Sequence, residues 1–249
     1  MRRDAGQAGP APVAVSRGLA EALEMDDAHA DPTRERPTLE PLGSGPRGDR
    51  PIALLAGSFD PPTVAHVALA TAWREETRGD VVLVYADRTL PKEPGGEEPL
   101  LDDAERLDAL RRVAGAHAGF HAARASHGLI VDQAEAARDR WPGVPVTVLM
   151  GSDKARQLFE PGWYEDRDEA LDRLFAAAEV RYAERAGDEG RVASIVAEPA
   201  NARFLGRLAA ISVSSEIAAV ASSEVRRRIR SGMPVVELVP PEVIALLET

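Results

Sequence analysis

The fold of this chain is decided by the stretch Gly57-Ser58-Phe59-Asp60-Pro61-Pro62-Thr63-Val64-Ala65-His66. It follows the apolar run Ile52–Ala56, which predicts a buried strand, and it leads into Val64–Arg78, which predicts a helix. A glycine-bearing turn between a strand and a helix gathers free backbone N–H groups, and the helix dipole there favours an anion. The stretch therefore predicts a phosphate site, and His66 in the first helical turn can face the same anion.

The overall composition limits the class of protein. The chain has 249 residues, a hydrophobic content of 44% and a net charge of -11, so we expect one large domain or two small ones with a sizeable core. The negative charge argues against a general nucleic-acid binder, which needs clustered Lys and Arg. The chain has no cysteine, no apolar run of transmembrane length and no secretory signal pattern. We therefore expect a cytoplasmic protein without a membrane partner.

Strand and helix patterns alternate after residue 50. Strands are predicted at Ile52–Ala56, Val81–Tyr85, Phe120–Arg124, Val146–Met150, Val180–Ala183 and Val192–Val196. Helices are predicted at Val64–Arg78, Asp102–Ala116, Val131–Arg140, Asp166–Ala177, Ser223–Ser231 and Pro241–Leu247. This alternation predicts an α/β fold, a Rossmann-like doubly wound parallel sheet with a C-terminal helical segment. Ligands bind such sheets beyond the carboxyl ends of the strands, which is where the turn at Gly57 lies.

Residues 1–50 differ in composition from the rest of the chain. They are rich in Pro, Gly, Ala, Asp and Arg, and they contain few large apolar residues. Val13–Met25 has the pattern of one amphipathic helix, and Pro32–Arg50 has the composition of a linker. We predict a low-complexity N-terminal extension at 1–50, flexible or loosely packed, and one domain at 51–249.

The residues of the turn allow two interpretations. Gly57 could have a positive φ or could admit a phosphate close to the backbone. Thr63 is a favourable N-cap for the following helix, and its hydroxyl could instead donate to a phosphate oxygen. The turn is then either a phosphate site or a tight structural turn in which Thr63 caps the helix and His66 is merely half-buried.

A second segment with phosphate-binding chemistry lies near the C-terminus. Ser222 or Ser223 would cap a helix whose N-terminus can receive a phosphate. Arg226 follows one turn later, and its guanidinium could bind two phosphate oxygens. The alternative is a capped surface helix with solvated basic residues.

A third segment follows the predicted strand that ends at Met150. Gly151 comes first and Asp153 follows, so a carboxylate stands at the end of a buried strand. Such a carboxylate can accept hydrogen bonds from ribose hydroxyls, as acidic residues do in dinucleotide-binding folds. Asp153 could also cap a helix.

The turn resembles the Gly-x-Phe-Asp-Pro-x-(His/Thr)-x-Gly-His motif of a nucleotidyltransferase superfamily. Its members include the nicotinate/nicotinamide mononucleotide adenylyltransferases and the phosphopantetheine adenylyltransferases. Thr63 stands where the former have the first His, a variant that the phosphopantetheine enzymes also use, and Ala65 stands where the family has Gly. Residues 222–226 and 239–243 resemble the family's Ile-Ser-Ser-Thr-x-Ile-Arg and Val-Pro-x-x-Val segments.

Other segments resemble the nicotinate mononucleotide enzymes specifically. Gly151–Asp153, Trp163 and Glu184–Gly187 resemble their Gly-x-Asp, Trp and Arg-Pro-Gly series, which the shorter phosphopantetheine enzymes lack. Lys92 stands in the place of the Lys in their Pro-His-Lys segment, although the His is missing, and Arg106 supplies the Arg of the next helix.

The resemblance implies adenylyl transfer from ATP to nicotinate mononucleotide, which gives nicotinate adenine dinucleotide and pyrophosphate, with Mg²⁺ bound through the ATP phosphates. It implies these site residues: His66, Thr63 and Arg226 for catalysis; Gly57, Ser58, Phe59, Gly151, Asp153, Ser222, Ser223 and Lys92 for ATP or nucleotide; Trp163, Arg185 and Arg106 for the second substrate. Trp163 would stack on the pyridine ring or, alternatively, anchor a loop.

Two other functions stay open at this point. Phosphopantetheine adenylyltransferase activity is favoured by Thr63, but Gly151–Asp153 and Trp163 argue against it. A divergent nucleotide-binding relative without catalysis is suggested by Thr63, by Ala65 and by the missing His before Lys92. The expected partners are ATP and a mononucleotide, not nucleic acid, and a homo-oligomer is also open.

Overall fold

The computed structural model describes residues 36–86, 98–185 and 187–247. Within these ranges the strands form one seven-stranded sheet in the order β1-β4-β3-β2-β5-β6-β7. The strands are β1 (Leu39–Pro41), β2 (Ile52–Ala56), β3 (Asp80–Ala86), β4 (Phe120–Ala125), β5 (Val146–Gly151), β6 (Glu179–Ala183) and β7 (Leu208–Ile211). All neighbours pair in parallel except β1, which runs antiparallel to β4. The predicted α/β, doubly wound parallel sheet is confirmed.

Helices cover both faces of the sheet. They are α1 (Val64–Thr77), α2 (Asp103–Ala116), α3 (Ile130–Arg140), α4 (Ser152–Gln157), α5 (Arg167–Ala177), α6 (Arg191–Val196), α7 (Ser215–Ala218), α8 (Ser222–Arg230) and α9 (Pro241–Leu247). Successive residues of β2 enter opposite cores, because side chains alternate along a strand. Leu55 packs in the core that contains Trp73 of α1, whereas Leu54 packs in the core that contains Leu171 of α5.

The strand order places the topological switch point at β2 and β5. From β2 the chain moves to β3 and β4 on one side, and it later crosses to β5, β6 and β7 on the other side. Leu55 of β2 pairs with Leu149 of β5, so the turns that follow these two strands lie next to each other. Parallel α/β sheets bind ligands at this place, because the diverging crossovers leave a crevice at the carboxyl ends of the strands.

One predicted strand is wrong. Residues 192–196 form most of α6, not a strand. Gly190, in a left-handed conformation with a φ of 71°, precedes the helix. Val192 and Val196 are buried and Ile195 packs against the same core. Their spacing of three and four residues is the spacing of one helix face, so the buried apolar residues fit a helix and not a strand.

The structure adds strands that the sequence did not predict at both edges of the sheet. Leu39–Pro41 lies within the segment expected to be a linker, yet Leu39 is buried and pairs with Ala125. Leu208–Ile211 pairs with β6 at the other edge. Residues 1–35 and Lys92 lie outside the described residues, so the domain boundary at residue 50 stays a prediction. No helix in the described ranges has the length and apolar content that crossing a membrane requires.

Candidate functional site

Several backbone N–H groups of the turn after β2 already have hydrogen-bond partners within the chain. The N–H of Gly57 donates to Val84 O at 3.2 Å, and the N–H of Val64 donates to Leu238 O at 3.0 Å. The N–H of Thr63 donates to Nδ1 of His66 at 3.0 Å. The expectation of free N–H groups is therefore wrong for these positions, because neighbouring segments already satisfy them. An anion at this turn therefore cannot be held by these three N–H groups without breaking their present bonds.

The positive φ lies at Phe59 and not at Gly57, so of the two options for Gly57 the left-handed conformation is wrong. Phe59 has a φ of 44° and its ring is buried. A Cβ at Gly57 would meet this ring at 3.4 Å, so the glycine lies directly against it. The Phe59 and His66 rings are 5.1 Å apart and tilted by 56°. Phe59 thus packs in the core and supports His66, and Ser58 lies half-buried between Gly57 and Phe59.

His66 is held from one side by Thr63, which is the N-cap of α1 as predicted. Oγ1 of Thr63 lies 2.8 Å from Nδ1 of His66, beside the 3.0 Å bond from the Thr63 N–H. Burial is the main cause that lowers the pKa of His66 to about 4, the nearby Arg185 charge lowers it further, and Asp153 opposes both. His66 is therefore neutral at neutral pH.

Arg185 and Asp153 lie close enough to His66 for their charges to affect its pKa. Nη1 of Arg185, in the loop after β6, is 3.5 Å from Oδ2 of Asp153 in α4. Nε of Arg185 and Oδ1 of Asp153 are buried atoms without a hydrogen-bond partner. A Cβ at Gly151 would stand 2.7 Å from Oδ1 of Asp153, so this position favours glycine. Buried polar atoms are normally satisfied, so a donor and an acceptor left open together suit a polar ligand.

The alternative role of Asp153 as a helix cap is wrong. The N-cap of α4 is Gly151, and Asp153 lies inside the helix. Its carboxylate is therefore available for the cluster with Arg185.

Asp60 forms a second ionic cluster beneath the turn, which the sequence did not predict. Its Oδ1 accepts hydrogen bonds from the N–H groups of Leu100 at 3.0 Å and Leu101 at 2.8 Å. Its Oδ2 lies 3.5 Å from Nη1 of Arg226 and 3.8 Å from Nη2 of Arg106. Asp60, Arg106 and Arg226 are 5%, 7% and 9% exposed. The cluster ties the turn to α2 and to α8.

Arg226 and Arg106 both have internal partners. Nη1 of Arg226 donates to Asp60 O at 2.9 Å, and Nε of Arg106 donates to Leu101 O at 2.9 Å. The Arg106 guanidinium also lies 5.9 Å from the centre of the Tyr85 ring. Arg226 is thus not a solvated surface residue, and neither is Arg106.

The prediction that Ser222 or Ser223 caps α8 is wrong. Ala221 is the N-cap, and Ser222 is the first helical residue. The hydroxyl of Ser222 donates to Pro61 O at 2.8 Å, which fixes the start of α8 against the turn after β2. Ser223 follows it and is exposed. The distance between these segments along the chain is large, and the structure nevertheless brings them together.

Trp163 lies apart from these contacts. It ends the short 3₁₀ helix Pro161–Trp163, is half-buried, and donates from Nε1 to Oε2 of Glu160 at 3.1 Å. This local contact suits the loop-anchor interpretation, and stacking on a ligand stays a prediction.

A cavity of about 380 Å³ adjoins the Arg185 loop, and its lining residues do not include His66. It is lined by Arg156, Glu189, Gly190, Arg191, Ser194 and Ile195. Asp188 links it to the site, because its Oδ2 accepts from Ser152 Oγ at 3.0 Å and lies 3.6 Å from Arg156. Within the described ranges, no group of three or more His, Asp or Glu side chains is arranged to hold a metal ion.

Comparison with known proteins agrees with this architecture. Curated relatives include probable nicotinate-nucleotide adenylyltransferases of Gemmatimonas aurantiaca, 29% identical over 77% of this chain and 87% of the relative, and of Salinibacter ruber, 28% identical over 80% and 95%. The fold resembles Plasmodium falciparum nicotinic acid mononucleotide adenylyltransferase complexed with NaAD, with a TM-score of 0.58, 14% identity and coverage of 80% and 95%. The family model described as cytidylyltransferase-like matches residues 54–228. Since this match spans well over half of the chain, the chain belongs to the cytidylyltransferase-like family.

Proposed function

We propose that this protein is a nucleotidyltransferase of NAD biosynthesis that joins nicotinate mononucleotide and ATP. The observation that carries the proposal is the cluster of His66, Arg185 and Asp153 at the switch point of the sheet, with a donor and an acceptor left open. The names of the curated relatives support the choice of nicotinate mononucleotide as the acceptor.

The reaction needs positioning and charge neutralisation more than covalent chemistry. A phosphate oxygen of the mononucleotide attacks the α-phosphorus of ATP and forms a new P–O bond. The bond from the α-phosphorus to the oxygen that bridges to the β-phosphorus breaks, and pyrophosphate leaves with that electron pair. Holding both phosphates in line converts a bimolecular reaction into an effectively unimolecular one. Donors aimed at the transferring group stabilise the charge that develops there.

We assign His66 to the phosphates of ATP and the transition state, because its Nε2 points away from the Thr63 cap. Asp153 accepts from a ribose hydroxyl through Oδ1, and Arg185 donates to the nucleotide through Nε. The start of α8 at Ser222–Ser223 holds the β- and γ-phosphates, and Arg226 acts indirectly, by fixing α8 to the turn through Asp60.

The remaining predicted residues have supporting roles in this proposal. Gly57, Ser58 and Phe59 form the surface on which the nucleotide lies. Gly151 leaves room beside Asp153. Arg106 acts indirectly, through Asp60 and the start of α2. Trp163 would contact the pyridine ring, and Lys92 would contact the phosphates.

Magnesium fits this site as part of ATP and not as a resident ion. Mg²⁺ prefers oxygen ligands and is often held mainly by substrate phosphates and water. Asp60 is taken up by Arg106 and Arg226, which leaves Asp153 as the carboxylate with an open oxygen. The ion neutralises phosphate charge when it is bound, while the chain orients the phosphates.

The test is a pyrophosphate-release assay with ATP, Mg²⁺ and a panel of acceptors. Turnover is expected with nicotinate mononucleotide, and slower or no turnover with nicotinamide mononucleotide and 4′-phosphopantetheine. No turnover with either pyridine mononucleotide would overturn the assignment. Tight ATP binding by calorimetry without turnover on any acceptor would identify a nucleotide-binding protein without catalysis instead.

A further inference from the structure

The side chain of Thr63 is directed at His66. Its side chain is completely buried, with a relative exposure of 0%. Oγ1 lies 2.8 Å from Nδ1 of His66. This hydroxyl already has Nδ1 of His66 as its partner, so a direct contact between Thr63 and a phosphate would have to break that contact.

The contacts of Thr63 decide where the His66 proton resides. A backbone N–H can only donate, so the 3.0 Å contact from the Thr63 N–H requires Nδ1 to be the acceptor. If Nδ1 carried the proton, two N–H groups would face each other in a buried place, and the Thr63 N–H would lose its bond. That loss is costly for a buried backbone group. The neutral ring therefore carries its proton on Nε2.

The remaining neighbours of His66 favour the same state. Arg185 in the loop after β6 disfavours a second proton on the ring, and Asp153 in α4 only partly compensates. Phe59 covers one side with an apolar ring. An uncharged imidazole with N–H at Nε2 can donate a hydrogen bond to an anionic oxygen without first taking up a proton.

We propose that Thr63 is a positioning residue that fixes His66 as the Nε2–H tautomer, so that His66 serves adenylyl transfer as a neutral hydrogen-bond donor. This inference rests on the proposed function, because it describes how His66 meets the phosphates. A threonine at the first position of the motif can therefore contribute to the reaction through His66, by holding Nδ1 of the ring.

The first test is the tautomer itself, measured on the full chain without any turnover. The protein is labelled with ¹⁵N-histidine, and the His66 signals are identified among the five histidines by their loss in His66→Gln. At neutral pH the expected spectrum has an unprotonated Nδ1 and a protonated Nε2. A protonated Nδ1, or a doubly protonated ring, would overturn the proposal.

The second test is a double-mutant cycle, which separates action through His66 from direct contact with phosphate. Thr63→Val removes the hydroxyl, and we expect kcat to fall about three- to tenfold, as for one lost hydrogen bond. Thr63→Ser keeps the hydroxyl, so its kcat should stay within about twofold of the wild-type value on the same scale. In a His66→Ala background, Thr63→Val should change kcat by less than about twofold. An equal loss in both backgrounds, or no loss in either, contradicts the part of the proposal that concerns the hydroxyl; Thr63→Val keeps the backbone N–H, and the tautomer measurement tests that part.

The two tests also separate this inference from the proposed function. If the wild type shows no turnover with any acceptor, the proposed function fails, while the tautomer measurement still decides the role of Thr63. If turnover is present and the cycle is additive, only the role of the Thr63 hydroxyl fails. Circular dichroism of each variant confirms that the comparison is made between folded proteins.

Discussion

Two ionic clusters lie near the turn after β2, and they differ in whether their polar atoms are satisfied. In the cluster around Asp60, the carboxylate meets two N–H groups and two guanidinium groups of the same chain. In the cluster of Asp153 and Arg185, one carboxylate oxygen and one guanidinium nitrogen are buried without a partner. The first cluster is complete without a ligand, and the second is not.

We infer that the charges of the first cluster stabilise the fold and that those of the second cluster bind a substrate. A buried carboxylate is tolerated when it is paired and hydrogen-bonded, and removing one partner leaves an uncompensated charge. An orphaned buried atom lowers stability unless something else satisfies it. At Asp153 and Arg185 a donor and an acceptor are orphaned side by side near His66, which suits a polar ligand. Asp60 should therefore be needed mainly for stability, whereas Asp153 should be needed mainly for binding.

The largest expected effect is on stability, from Asp60→Ala. The substitution leaves Arg106 and Arg226 without their buried counterion and leaves the Leu100 and Leu101 N–H groups unpaired. We expect the free energy of unfolding to fall by about 3–5 kcal/mol, measured by denaturant titration. The matched variant Asp153→Ala should cost less than about 1 kcal/mol, because that pair is more than a third exposed on the carboxylate side. Equal losses in both variants would remove the distinction between the clusters.

The second prediction concerns His66→Ala. Removal of a donor aimed at the transferring phosphate should lower kcat by about 10²–10³-fold, while circular dichroism stays unchanged. His117→Ala is the control, since His117 precedes β4, at the amino end of the parallel strands, with Nε2 3.1 Å from Oε1 of Glu242. Its kcat should match the wild-type value. An unaltered kcat in His66→Ala would exclude His66 from the mechanism.

A smaller effect is expected from Asp153→Asn. The amide preserves the shape of the side chain but loses the anionic acceptor for a ribose hydroxyl. We expect KM for one nucleotide to rise about tenfold with little change in the free energy of unfolding. Asp139→Asn is the surface control, because Asp139 is exposed and pairs only loosely with Arg138 at 3.9 Å. A large stability loss without any change in KM would mean that Asp153 belongs with Asp60 as a structural residue.

The smallest effect is a pH dependence of stability. Burial lowers the pKa of His66 from 6.5 to about 4, with a further contribution from Arg185. Between these values the unfolded chain binds a proton that the native protein does not bind, so stability decreases as the pH falls through this window. Denaturant unfolding of the wild type and of His66→Gln should show a shallower pH dependence in the variant. Parallel curves would indicate an ordinary His66 pKa.

Much of the sheet could be predicted from the sequence, because its central strands are long apolar runs bounded by breakers. Ile52–Ala56 and Val146–Met150 match their observed strands closely. The edge strand Leu208–Ile211 was not predicted, because its two alanines have low strand propensity and one of them is exposed. At Val192–Val196 a short apolar run fitted both periods, and packing against the core selected the helix.

The site could be predicted as a set of residues but not as a set of contacts. His66, Asp153 and Arg185 follow from their motifs and do lie together. The Asp60 cluster has no local signal, because Arg226 is 166 residues away along the chain and meets Asp60 only through the fold. The orientation of Thr63 toward Nδ1 likewise depends on backbone geometry at the start of α1, which a residue pattern does not encode.

The most direct test of the account is a crystal structure with nicotinate mononucleotide and a non-hydrolysable ATP analogue. We expect Nε2 of His66 and Nε of Arg185 to donate to the ligands and Oδ1 of Asp153 to accept from one of them. The Asp60 contacts should stay as they are. Ligands bound only in the cavity beside Arg156 and Arg191, with the Asp153 and Arg185 atoms still unpartnered, would contradict this expectation.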